Sequence, residues 1–251
     1  MTSRGQQRRK ARETGGTDMK KFYWVFGAVA VIGVVAVGYS VGSSTLGTAV
    51  TEPVNVEGLD DLERLVSLAQ GVTKGDPNAP ITIAEFADYQ CPGCGAFALS
   101  VKPQVELAYV QSGKAKFIFY DFPLRGHPHA FLAARAARCA GDQDRFWEYQ
   151  DALFRNQPSW SARTEVVGDF IDYAEATGLE RESFEACLKS DRHADVVTAN
   201  LELGNQLGIS ATPTIMVSKG GGMARRLNYF DFQSVQQAVD ALLESSGSTG
   251  N

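Results

Sequence analysis

The stretch ITIAEFADYQCPGC, residues 81–94, constrains the chain more than any other. Its first seven residues are largely apolar or β-branched and read as a strand, with Ile81, Ile83 and Glu85 on one face. A helical pattern begins near Cys91 and continues to about residue 111, with Pro103 as an expected kink. A strand feeding a helix sets Cys91 at a helix N-terminus, where unpaired N–H groups and the macrodipole favour negative charge. A thiolate is such a charge. Free thiols ionise near about pH 8.5, and those at helix starts as low as roughly 3.5–7.5. Cys94 lies one turn along, close enough to close a small ring, and Pro92 suits the first turn because it has no N–H to leave unmet.

Two cysteines so close can hold a metal, staple a loop or exchange electrons. A structural zinc site needs four ligands, and Cys139 and Cys187 form no second close pair. His127, His129 and His193 have no ligand spacing relative to a cysteine. A bridge across so short a loop constrains little of the unfolded chain. Thiol–disulfide exchange is therefore the favoured use, with metal binding and a purely structural bridge as the weaker alternatives. No metal or organic cofactor is expected.

Compartment follows from the N-terminal region. Residues 1–21 carry seven basic side chains against Glu13 and Asp18, a sum of +5; the whole chain is −5, so the remainder carries −10. That balance argues against nucleic acid as a partner. Residues 22–41, from Phe22 to Val41, contain no charged side chain. At the rise of an α-helix they span about 30 Å, a bilayer's hydrocarbon thickness. Phe22, Tyr23 and Trp24 suit the interface, and the basic arm belongs on the cytoplasmic side. An uncleaved anchor is expected. A cleaved signal peptide is the alternative, but its apolar core would be shorter and no clean cleavage site follows. A twin-arginine signal at Arg8-Arg9 and a helix-pairing role for Gly38 and Gly42 are weaker readings still.

Outside the cytoplasm disulfides persist, and four cysteines are what two bridges would leave. Joining Cys139 to Cys187 would close a loop of about 49 residues, for which chain entropy gives about 4 kcal/mol. A structural disulfide is the expectation, against two buried thiols or a relay pair.

The rest of the chain divides readily. Residues 42–58 read as a tether and 59–70 as a short amphipathic helix, with GDPNAP at 75–80 as a turn. A second strand is expected over 115–124. Helices follow over 128–140, 143–155, 163–177, 181–189 and 192–207. A strand at 214–218, a glycine turn, a hairpin partner within 224–229 and a closing helix complete an α/β domain over 72–246, with a loose tail at 247–251.

GDPNAPITIAEFADYQCPGCGAF resembles the opening of the DsbA-like branch of the thioredoxin superfamily, the exported thiol:disulfide oxidoreductases. The similarity continues through HPHAFLAARAARCAGDQDRFWEYQDALFRNQ, FEACL and LGISATPTIMV. It implies a thioredoxin fold with a helical insertion over about 128–207, preceded here by one transmembrane helix. It also implies that Cys91 attacks and forms mixed disulfides, and that Cys94 is the buried resolving partner. Thr212-Pro213 matches the family's cis-proline loop, with the Thr212 backbone pairing client chains; an ordinary trans proline is the alternative. Glu85 matches the buried acid beneath the site, and the alternation of its strand also favours the inside. Gly93 departs from the His or aromatic residue that strongly oxidising relatives carry between the cysteines, which puts the direction of exchange in doubt. His127 and His129 read as turn residues, and Phe146, Trp147, Tyr149 and Phe154 as packing. The resemblance further implies reduced exported proteins as clients and a quinone-linked membrane protein as reoxidant. A reductase, an isomerase or a redox-inert module that holds unfolded chains are the rival readings.

Overall fold

The computed structural model describes residues 49–245. The basic arm 1–21, the anchor 22–41, the start of the tether and the tail 247–251 lie outside the described residues. Among the described residues no helix is long and apolar enough to cross a membrane.

Five strands form one sheet: β1 (Val72–Lys74), β2 (Ile81–Ala87), β3 (Ala115–Asp121), β4 (Thr214–Lys219) and β5 (Arg225–Arg226), in the order β1-β3-β2-β4-β5. β2 and β3 run parallel, with Ile83 opposite Phe117, and the other neighbours are antiparallel. The cause is visible in β3, where Ala115, Phe117, Phe119 and Asp121 are buried and the residues between them are half-buried. Ile81, Ile83, Phe117, Phe119, Ile215 and Val217 form the sheet's share of the main core. Each such large apolar side chain contributes about 1.5–3 kcal/mol on burial.

Two strands are shorter than expected and one was not expected at all, for local reasons. β3 ends at Asp121 rather than 124: Phe122 N still donates to the Ala87 carbonyl of β2 (2.8 Å), but Pro123 has no N–H to continue the ladder. β5 keeps two of the six residues expected for the hairpin. β1 was not foreseen, since three residues are too few to show an alternation.

Helix α1 (Leu62–Leu68) is capped by Asp61, whose carboxylate accepts from Arg64 N at 2.8 Å. A long helix, α2, fills residues 92–110. It widens to π turns at Phe97–Val101 and Glu106–Val110 on either side of Lys102–Val105. Pro103, which has no N–H, sits just after the first wide turn, so the expected irregularity takes the form of i→i+5 bonds. The closing helix α9 (Phe232–Glu244) starts on an Asp231 cap and accepts the Tyr109 hydroxyl at Asp240, 2.9 Å away.

The helical insertion lies between β3 and β4. It comprises α3 (Ala130–Gly141), α4 (Phe146–Arg155), α5 (Gln157–Trp160), α6 (Val167–Ala176), α7 (Arg181–Leu188) and α8 (Ala194–Gln206). Every residue of α3 from Ala130 to Ala140 is buried, which its alanines permit by letting neighbours approach closely. Two arginines go in with them. Arg138 pairs with Asp121 of β3 (2.6 Å) and donates to the Gln70 carbonyl (2.7 Å). Arg135 donates to the carbonyls of Val50, Leu188, Ser190 and Arg192. Buried charges need such partners to be tolerated at all. Cys139 and Cys187 are joined, tying α3 to α7 across 48 positions of sequence.

Residues 49–58, expected as a free tether, lie on this insertion. Ala49, Val50 and Val54 pack against the core, and Val54 N donates to Thr198 Oγ1 at 3.1 Å. Their small apolar side chains made them look like linker; a matching surface on α3 and α8 gives them a place to bind.

Candidate active site

The end of β2 and the start of α2 form the site, as their residue types dictate. Cys91 is the N-cap of α2, in extended conformation, and Pro92 occupies the first helical position. Cys91 is 9% exposed and Cys94, one turn further into the core, 0%. Both are free thiols. The Thr212–Pro213 peptide bond is cis, and the Thr212 carbonyl lies 3.4 Å from Cys91 Sγ. Of the residues expected to act together, Cys91, Cys94, Thr212 and Pro213 thus meet in one place, with Glu85 buried on β2 behind them. Cys139 and Cys187 are joined to each other instead.

The two sulfurs are electrostatically unequal. The Cys91 thiol is lowered from 9.0 to about 5. The largest cause is a hydrogen bond from the Cys94 thiol; burial opposes it, and the amides of Cys94 and Gly93 assist. Burial pushes the Cys94 thiol far up, reinforced by its bond to Cys91 and by the charge of Glu85. Glu85 itself is raised from 4.5 to about 8, first by burial and further by Cys91, with Lys102 pulling it down. Its Oε1 has no hydrogen-bond partner among the described residues. A carboxyl in that state takes and returns a proton near neutral pH.

At Gly93 a Cβ would stand 3.3 Å from Pro213 Cδ and 3.7 Å from Cys91 Sγ. A side chain here therefore faces the Cys91 sulfur. With Gly93→His, an imidazole donor reaches the Cys91 thiolate and favours the reduced form. One such bond, about 1.5–3 kcal/mol, raises the two-electron potential by about 30–60 mV. Equilibration of parent and variant against graded glutathione checks this; an unchanged or lower potential contradicts it.

The insertion grips the turn before Cys91 through residues the motif did not flag. Gln157, from the four-residue helix α5, donates to the carbonyls of Tyr89 (2.6 Å) and Cys91 (2.9 Å). Gln90 donates to the Ser161 carbonyl (2.7 Å) and accepts from His129 N (2.9 Å). Tyr89 stacks on Phe154, ring centres 5.0 Å apart. His127 and His129 do lie in the turn before α3, but His127 Nδ1 is 2.8 Å from the carboxylate of Asp88. The buried Lys102 binds Gln150 (2.6 Å) and Asp151 (3.0 Å) and lies 5.3 Å above the Trp147 ring, so Trp147 does serve packing. Asp88 carried one signal, its place three residues before Cys91; Gln157 and Lys102 carried none, because their partners are distant in sequence.

Among the described residues one cluster has metal-ligand composition: Cys139, Cys187 and His193, with donor atoms within 4.8 Å of one another. Its two sulfurs are bonded together and offer no thiolate to a metal.

A family model described as thioredoxin matches residues 67–235. The chain belongs to the thioredoxin family. Within it, the chain is DsbA-like. It is 27% identical over 172 residues to disulfide bond formation protein D of Bacillus subtilis, covering 68% of this chain and 76% of that protein. The crystal structure of oxidised BdbD from Bacillus subtilis superposes with a TM-score of 0.62 at 25% identity, covering 79% of this chain and all of that one. Wolbachia pipientis alpha-DsbA1 shares the fold, with a TM-score of 0.63 at 24% identity over 70% of this chain and 92% of that one. The Na(+)/H(+) antiporter NhaA 3 of Salinispora tropica is 31% identical over 163 residues, which is 64% of this chain but 24% of the antiporter. The chain thus spans about a quarter of that relative's length.

Proposed function

We propose that this chain is a membrane-tethered, extracytoplasmic thiol:disulfide oxidoreductase that oxidises client dithiols through Cys91 and Cys94. The asymmetry of the two sulfurs carries the reading: one at the surface edge with its ionisation lowered to about 5, the other buried and raised. A client thiolate attacks Cys91 Sγ of the disulfide, and the bond's electron pair leaves on Cys94, which then takes a proton. A second client thiol attacks the client sulfur of the mixed disulfide, and Cys91 departs as a thiolate. Two electrons have passed from the client to the pair. Since Cys91 is the easily ionised group, its departure is favourable, and the oxidising direction follows. The cis Thr212–Pro213 loop lines the approach, with the Thr212 backbone offered to an extended client.

The uncharged run 22–41 behind a basic arm supports the anchor and export. The Cys139–Cys187 bridge fits an oxidising compartment. Reduced exported proteins are the clients, and a quinone-linked membrane protein restores the disulfide; neither metal nor nucleic acid enters the scheme. The test is the potential of the Cys91/Cys94 pair against graded glutathione. A value near about −120 mV supports an oxidant, and one near about −270 mV makes the chain a reductase.

A further inference from the structure

Asp88 follows β2 and is buried, with 1% of its surface exposed. Its carboxylate collects three donors from two separate segments. Gln90 N approaches Oδ1 at 2.6 Å; Leu124 N and His127 Nδ1 approach Oδ2 at 2.7 and 2.8 Å. Its own amide points the other way and lies 3.4 Å from Cys94 Sγ. Nothing in the exchange reaction uses the carboxylate, which is expensive to bury: desolvation raises it, and these bonds only partly pull it back. A carboxylate held so firmly between the active-site turn and the β3–α3 turn leaves its peptide unit little freedom.

We propose that Asp88 is a positioning residue for the exchange reaction: its carboxylate fixes the residue-88 amide against the Cys94 sulfur, ready for the charge that arrives there. The inference rests on the function proposed above. When a client sulfur bonds to Cys91 Sγ, the Cys91–Cys94 bond breaks and its electron pair moves onto Cys94 Sγ. That sulfur is shut away from water, so a donor already in place stabilises the developing anion without reorganisation. The same contact serves the reverse step, when Cys94 attacks a mixed disulfide. His127 is the half-exposed end of the device and holds Asp88 from the outside.

The test is the rate at which dithiothreitol reduces the oxidised full chain in mild detergent, followed by quenching and thiol counting. In Asp88→Asn the amide nitrogen must face a backbone N–H, so one donor loses its acceptor and the turn shifts. Removing a fixed donor outright costs about 10²–10³ in rate; misplacing one is expected to slow reduction about tenfold. The pH midpoint of Cys91 alkylation stays at the parent's value. An unslowed variant overturns the proposal. So does a slowing matched by a shifted Cys91 midpoint, because the effect then passes through the attacking sulfur. If Asp88→Asn fails to fold, His127→Ala decides, with two- to threefold slowing expected and none overturning the idea. A parent chain inert to dithiothreitol sinks the proposed function and this inference together; an active parent with unslowed variants sinks this inference alone.

Discussion

Cys91→Ser exchanges no disulfide with a disulfide-bonded peptide, while Cys94→Ser accumulates a stable mixed disulfide through Cys91 and releases the peptide's other half as a thiol. The two cysteines differ by three positions and by complete opposition of environment. Cys91 caps α2 and receives hydrogen bonds that hold its thiolate, whereas Cys94 lies in the core with its thiol pushed up. Serine at 91 removes the more exposed sulfur of the pair, so the loss is expected to be total. Serine at 94 leaves the sulfur proposed to attack and removes the group proposed to resolve the adduct. Mass analysis of the protein after incubation with a single-cysteine disulfide peptide reads both results. Adduct on Cys94 in the Cys91→Ser chain contradicts the assignment. The reduced parent should also alkylate at Cys91 with a midpoint near pH 5 rather than near 9, so its rate at pH 7 is already on the plateau.

Glu85→Gln stabilises the domain at neutral pH and slows it as a catalyst. In the fold this carboxyl ionises near 8 rather than 4.5. Below pH 4.5 it is protonated in both folded and unfolded chains and costs nothing. Between 4.5 and 8 the unfolded chain releases the proton and the folded one keeps it, so the parent's stability falls as pH rises. At pH 7 that amounts to about 3 kcal/mol, or of order 10 °C in midpoint for a domain of this size. Glutamine keeps the shape and does not ionise, so the variant recovers this amount at pH 7 and nothing at pH 4. Meanwhile Cys94 loses the proton acceptor proposed for it, and resolution of mixed disulfides should slow by about 10²-fold. Denaturant unfolding at several pH values, paired with single-turnover exchange, checks both halves. A variant no more stable than the parent at pH 7 rules out the raised carboxyl.

Both expectations start from features visible in sequence. Alternation on β2 put Glu85 with Ile81 and Ile83 on the inner face, and it is buried there. The strand-to-helix junction put Cys91 at a helix start, and it is the N-cap. These readings work because they depend on neighbours within a few residues, where backbone period and hydrogen-bonding rules leave few choices. β1 and α5 escaped the same reasoning, being too short to show a period. Residues 49–58 read as linker because composition reports how little a segment needs burial, not whether another surface receives it.

The placing of two thiols one turn apart, the first at a helix start, was therefore determined by the order of residues 81–94. Tertiary structure decided what surrounds them. Asp88 facing His127 across 39 positions, Gln157 reaching the Cys91 carbonyl across 66, and Arg138 entering the core with Asp121 are all such choices. A buried polar group takes whichever partner the packed chain brings within hydrogen-bond reach, and that distance is set by the whole fold rather than by spacing along the sequence.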